Sequence, residues 1–243
     1  MKAAAIRAQA RIEMLLTVRR GESLLVTLVI PIGILVFFSS VDAVNTTYKE
    51  PVDFLVPGVL ALAVMSSAMV SLGIATGYER RYGVLKRLGS TPLSRGGLLT
   101  AKTLNVLALE VVQTIVIVIT GIALGWNATG GLVAAVALLL VGTIAFAGIG
   151  MLMAGTLRAE ANLALANGLF LVLLFLGGMA YPLAKLPDAV EAVAKLLPAA
   201  ALSETVRAVL SPGRSFPVGE LVVLLVWAVA APLAAARWFR WEE

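Results

Sequence analysis

Glu110 is the first residue whose position invites chemistry. Between Thr103 and Leu157 it is the lone charged side chain in a long apolar run. It lies eight residues beyond Lys102, which is about 12 Å along a helix axis. An ionisable group at such depth marks a functional site by default. Gln113, three residues on, is placed to hydrogen-bond it, and the competing reading is a buried polar pair that packs one helix against its neighbours. A proton relay would need more ionisable groups in line than this run offers. The second concentration of chemistry is Glu79-Arg-Arg-Tyr-Gly-Val-Leu-Lys-Arg-Leu88, which is dense in charge and includes Glu79, Arg80, Arg81, Lys86 and Arg87. With no His and no Cys, the usual general base and the thiolate metal sites are missing. That leaves little scope for a hydrolase or a redox enzyme.

The elements that must position these groups follow from composition. Of 243 residues, 60% are hydrophobic and 14% charged, with mean hydropathy +0.98, whereas soluble domains are roughly half apolar and a quarter charged. A bilayer core asks for about 20 apolar helical residues. Charge-free runs at Ser23–Val41, Phe54–Tyr78, Ala161–Ala184 and Leu221–Ala236 each supply one span. The long run containing Glu110 supplies two, split by the Gly-containing turn at Trp126–Gly131. The expected fold is therefore an all-α polytopic membrane protein with six spans, at 23–41, 54–78, 103–125, 132–157, 161–180 and 219–237. Trp227 and Trp238 could anchor the last, shorter one at the interface. Pro31 is expected to kink the first.

The net charge of +5 could suggest a nucleic-acid partner in a soluble protein, but the cationic residues border the spans. Fourteen of the 19 Lys and Arg fall on one side of this topology and five on the other. The positive-inside rule then places both termini in the cytoplasm, in a plasma (inner) membrane. No cleaved signal peptide is expected, because the first apolar run is long and no small-residue cleavage site precedes Asp42.

The connections carry the remaining detail. Residues 1–22 read as an in-plane interfacial helix with Ile6, Ala10 and Met14 on one face and Arg7 and Arg11 on another. In the 79–95 region Tyr78, Tyr82 and Leu85 share a face, so Glu79–Leu88 reads as a short amphipathic helix ended by Gly89 and Pro92. Taken alone it is either a lipid-touching interfacial helix or a docking element for a cytoplasmic partner. The external connection 182–217 is punctuated by prolines around Asp188–Leu197 and Ala200–Leu210, two helices too short to span. They read as a re-entrant or interfacial hairpin, either a lid on a pathway or simple packing. Phe37 and Phe38 on the first span, with Met65 and Met69 on the second, could line a greasy pathway, though such stripes more often pack a core. Gly73–Gly77 and Gly121–Gly125 match the small-xxx-small pattern for close helix approach.

In this order, these features resemble the permease subunits of type 2 ABC transporters, the class of bacterial drug-resistance and polysaccharide export permeases. One match is Tyr78-Glu-Arg-Arg-Tyr-Gly-Val-Leu-Lys-Arg-Leu-Gly-Ser-Thr-Pro-Leu-Ser94 with Lys102 downstream. Another is Gly177-Gly-Met-Ala-Tyr-Pro182, Leu186-Pro187, Leu197-Pro198 and Glu204-Thr-Val-Arg207. The resemblance implies an ATP-driven exporter half that pairs with a second copy or a homologous permease and with two ATPase subunits, which would bind ATP and Mg. No G-x-x-x-x-G-K-[ST] phosphate loop occurs here, in keeping with ATP handled by another chain. It also implies that Glu79, Arg80, Arg81, Tyr82, Gly83, Leu85, Lys86, Arg87 and Leu88 form the coupling helix, with Arg81 and Tyr82 standing where relatives often carry a second Glu. Cargo would move outward by alternating access, and the lack of a charged cluster along the spans favours a hydrophobic or amphiphilic substrate. The alternatives are a membrane-embedded lipid-modifying enzyme and a non-transporting scaffold.

Overall fold

A computed structural model describes residues 2–19, 21–40, 51–91, 94–127, 130–211 and 215–242. Among them the chain is helical, without a strand: α1 (Lys2–Arg19), α2 (Gly21–Ser40), α3 (Pro51–Met65), a π-helical segment (Ser66–Ser71), α4 (Leu72–Arg81), α5 (Val84–Gly89), α6 (Arg95–Ala123), α7 (Leu132–Thr156), α8 (Ala159–Leu176), a 3-10 turn (Leu183–Lys185), α9 (Asp188–Ala194), α10 (Pro198–Leu210) and α11 (Val218–Trp238). Asp42, Pro92 and the tip of the 126–131 turn fall outside the described residues.

Five described helices are long and apolar enough to cross a membrane: the continuous run Pro51–Arg81, Gly96–Ala123, Leu132–Thr156, Ala159–Leu176 and Val218–Trp238. Leu28–Ser40, within α2, is a shorter apolar helix, and Pro31 stays inside it. The α3–α4 run forms the centre. Nearly all of α3 is enclosed, whereas α6, α8 and α11 present rows of exposed Val, Leu, Ile and Phe. For a soluble protein those rows would be a liability, but against lipid tails they cost nothing.

Close approach at the centre depends on small residues. Gly73 on α4 lies against the backbone of Gly150 on α7, where an added Cβ would sit 3.1 Å from the Gly150 carbonyl oxygen. The second small-xxx-small match works differently from expectation. Gly121 packs on Val56 of α3, but Gly125 ends α6 at φ +95°. The N–H of Trp126 reaches the Gly121 carbonyl at 2.9 Å and that of Gly125 the Ile122 carbonyl at 3.0 Å, a Schellman closure that needs glycine at the left-handed position. Gly125 thus serves as a stop signal.

In the connection before α11, α10 is enclosed by the bundle. It packs against α3, α7 and α11, and Pro198 fills its first turn, where a missing N–H costs nothing. Arg207 is fully buried: it donates to Glu204 at 2.5 Å and to the Gly178 carbonyl at 2.6 Å, and its guanidinium lies 4.0 Å from the Phe54 ring centre. Trp227 on α11 donates to the Leu196 carbonyl at 3.0 Å, tying the last span to this connection. On α9, the hydrogen bond to Glu191, at 2.8 Å, raises the pKa of the half-exposed Lys195 above its usual value.

Candidate functional site

The candidate site has two parts, one at the end where α4, α6, α7, α8 and α11 meet, the other between α6 and α7 midway along them. At the first, Lys102 on α6 is enclosed and its Nζ stands 2.8 Å from both Glu13 on α1 and Glu79 on α4. Gln9 donates to the same Glu13 oxygen at 2.9 Å, and Asn105 donates to Thr17 at 2.9 Å. The face α1 turns inward is therefore the polar stripe Gln9, Glu13 and Thr17 at i, i+4, i+8 spacing, while Ile12, Met14, Leu15 and Leu16 lie exposed. Of the three residues expected to share another face, Met14 is exposed and Ala10 half-buried, and the Ile6 side chain lies outside the described residues. Apolar residues gain nothing by turning inward when the outside is lipid, whereas a carboxylate must find its cation.

Arg80 is also turned inward. Its Nη1 donates to the Ala154 carbonyl and its Nη2 to the Leu157 carbonyl, both at 2.7 Å. These are among the carbonyls left without helical partners at the C-terminal end of α7, where a cation is doubly favoured by hydrogen bonding and by the helix dipole. Arg81, next along, pairs with Glu160 at the start of α8, and Lys86 with Glu242 at 3.3 Å. The N–H2 of Asn162 on α8 donates to the Gly73 carbonyl at 2.8 Å.

The expected single helix Glu79–Leu88 is broken. Helix α4 stops at Arg81, Tyr82 and Gly83 form a turn with Gly83 at φ 71°, and α5 starts at Val84. A left-handed residue cannot continue a right-handed helix, and glycine adopts that conformation without a Cβ clash. The break sorts the residues of the 79–88 run. Arg80 and Leu85 are buried and Glu79 is engaged with Lys102. Tyr82 is 72% exposed, and Arg81, Lys86 and Arg87 also face outward beside half-buried Gly83 and Leu88. Tyr78 stacks on Tyr82 with ring centres 6.2 Å apart.

Midway along the helices, Glu110 is buried and accepts a 2.5 Å hydrogen bond from Thr143 on α7. Gln113 accepts from Ser67 of the π-helical segment at 2.8 Å, so it ties α6 to the central run. Met65 and Met69 are fully enclosed in the core, Phe38 packs against that core, and Phe37 is on the outside, edge-on to Phe38 at 5.3 Å. Sequence reasoning missed Glu13, Asn105, Thr143, Asn162 and the π-helical segment. Gln9, Glu13 and Thr17 at four-residue intervals were the readable signal for the α1 contact, and nothing local marked the rest.

A bundle of apolar helices, five of them long enough to cross a bilayer among the described residues, defines a polytopic membrane protein. The sequence model of the ABC-2 type transporter family matches residues 4–211, and the chain belongs to that family. It is also similar to a Bacillus subtilis (strain 168) protein named "Putative transport permease YvfS", with 26% identity over 199 residues, 78% of this chain and 79% of that protein. The chain is accordingly a membrane transport permease.

Proposed function

We propose that this chain is the membrane half of an ATP-driven exporter with six spans, α2 being the first, and with both termini in the cytoplasm of the inner membrane. A separate ATPase, present in two copies with its own ATP and Mg, docks on the exposed Arg81–Arg87 turn, and a second permease completes the pathway. The observation that carries this reading is mechanical. The exposed turn is anchored to the surrounding helices by Arg80 on α7, Arg81 on α8 and Glu79 through Lys102 on α6 and α1. A push delivered at Tyr82 therefore reaches the bundle through ionic struts instead of being absorbed in a flexible loop. Nucleotide binding would supply the differential affinity that moves the paired halves between inward- and outward-open states. A hydrophobic or amphiphilic cargo fits the apolar linings.

The test is co-purification in mild detergent. Wild type should bring down an ATPase near one to one, and exposed Tyr82→Glu should lose it while its melting midpoint stays unchanged. If no ATPase accompanies the wild type under any gentle condition, the ATP-driven exporter reading falls.

A further inference from the structure

The Glu110 carboxylate is only half satisfied. One oxygen takes the Thr143 hydroxyl, whereas the other, Oε1, is buried and has no hydrogen-bond partner. Leaving such a group unmade costs more than an average hydrogen bond contributes. Glu110 is 7% exposed and lines a cavity of about 240 Å³ between α6 and α7, floored by Val64 of α3 and walled by Val111, Val136 and Leu140, with Thr114 as a second polar group. Val111, Val136 and Leu140 are themselves exposed on the outer face, so the cavity opens sideways, toward lipid. Its volume lies just below the roughly 300–1,000 Å³ of drug-sized sites. It can take a head group and the first carbons of a chain, the remainder lying along the exposed faces of α6 and α7.

We infer that this groove is a binding site for a lipophilic amine, whose N–H donors meet the unpartnered Glu110 oxygen while its apolar body fills the cavity between α6 and α7. The polarity selects the ligand: the cavity offers an acidic side chain and a hydroxyl and no basic side chain, so an amine finds acceptors there and a fatty-acid anion finds no counter-charge. A second copy of this chain is the competing occupant, and charge argues against it. From Thr103 to Leu157 the chain has no Lys or Arg, so the same face of a second copy would bring another carboxylate. The inference names a cargo class for the permease reading, and it rests on that reading only for the transport step, not for binding itself.

The experiment uses the full chain in phosphatidylcholine nanodiscs, with whatever subunit accompanies it. The probe is a decylamine bearing a photoreactive diazirine on its chain, and labelled peptides are mapped by mass spectrometry. The expected result is saturable labelling of α6 and α7 that decylamine displaces and decanoate does not. Glu110→Gln should weaken half-saturation by about tenfold to a hundredfold, the worth of one charge-assisted hydrogen bond. Leu140→Trp, at an exposed position that leaves the fold intact, should block labelling. Equal labelling in wild type and both variants would mean simple partitioning into lipid and would overturn the proposal. So would failure of the probe to reach α6 together with spontaneous Val111→Cys cross-linking between copies. Loss of the ATPase partner with amine labelling intact would sink the ATP-driven exporter reading and leave the site standing.

Discussion

Two of the buried polar clusters, at different heights along α6, are completed to different degrees. At the end of the bundle near α5, Lys102 has two carboxylates, Arg80 has two carbonyls, and the α1 stripe is met by Lys102 and Asn105 of α6. Midway along α6, Glu110 has one donor from Thr143 and an oxygen left over. The first arrangement is what transmitting force demands, since the cations find their partners inside the bundle. The second is what binding demands, because a pre-formed but incomplete site gains from an incoming donor. Buried charge therefore has opposite meanings at the two places along α6.

Removing the shared cation should break the comparison hardest. Lys102→Met strands Glu13 and Glu79 together in a largely enclosed space, and loss of one partner from a buried ionic cluster costs about 3–5 kcal/mol. Thermal unfolding in detergent should show the largest drop of any single variant, and Glu13→Gln added to it should recover part of the loss. Arg80→Leu should cost about 2–3 kcal/mol, because two charge-assisted bonds to the α7 terminus disappear at once. Hydrogen exchange should locate that damage at Ala154–Leu157.

The Glu110 cluster should respond in the opposite sense to its charge. Thr143→Val takes away the hydroxyl donor and should destabilise by about 1–3 kcal/mol, while Glu110→Gln should raise the melting midpoint or leave it unchanged. A large fall with Glu110→Gln would mean that the carboxylate is structural, and the contrast between the two clusters would collapse. Gly83→Ala should cost about 1–2 kcal/mol from its left-handed backbone alone, since no atom lies within 4 Å of the added Cβ. The smallest effect belongs to Arg81→Ala: both partners of its pair with Glu160 are exposed, so stability should change by less than about 1 kcal/mol, while ATPase co-purification falls.

The parts of this architecture readable in the sequence are those set by averages. Charge-free runs mark where helices must hide their backbones from lipid, and a dense charge run marks where they emerge. Gly83 was legible as a residue type but not as a break, because its φ is decided by how α5 folds back. Gln9, Glu13 and Thr17 were visible at helical spacing, yet their partners Lys102 and Asn105 stand 88 or more residues away. In lipid, apolarity no longer tells inside from outside, so hydropathy finds the helices and is silent on which face meets which. Glu110 stood out because it was alone, whereas Thr143, which completes half of it, looks like any hydroxyl in a span.

The π-helical segment Ser66–Ser71 has a consequence for how this span tolerates change. Such a wide turn holds one residue more than an α-helix needs over the same rise, and each α-helical residue turns the chain by about 100°. Gly58 near the other end of the span packs on the Met179 backbone, and deleting one residue within 66–71 should let the turn close to ordinary α geometry with that contact kept and Arg80 still on α7. A deletion elsewhere in Pro51–Arg81 should swing one of those contacts a quarter-turn out of phase. The span carries a spare residue, and 66–71 is where length can vary without misaligning either end.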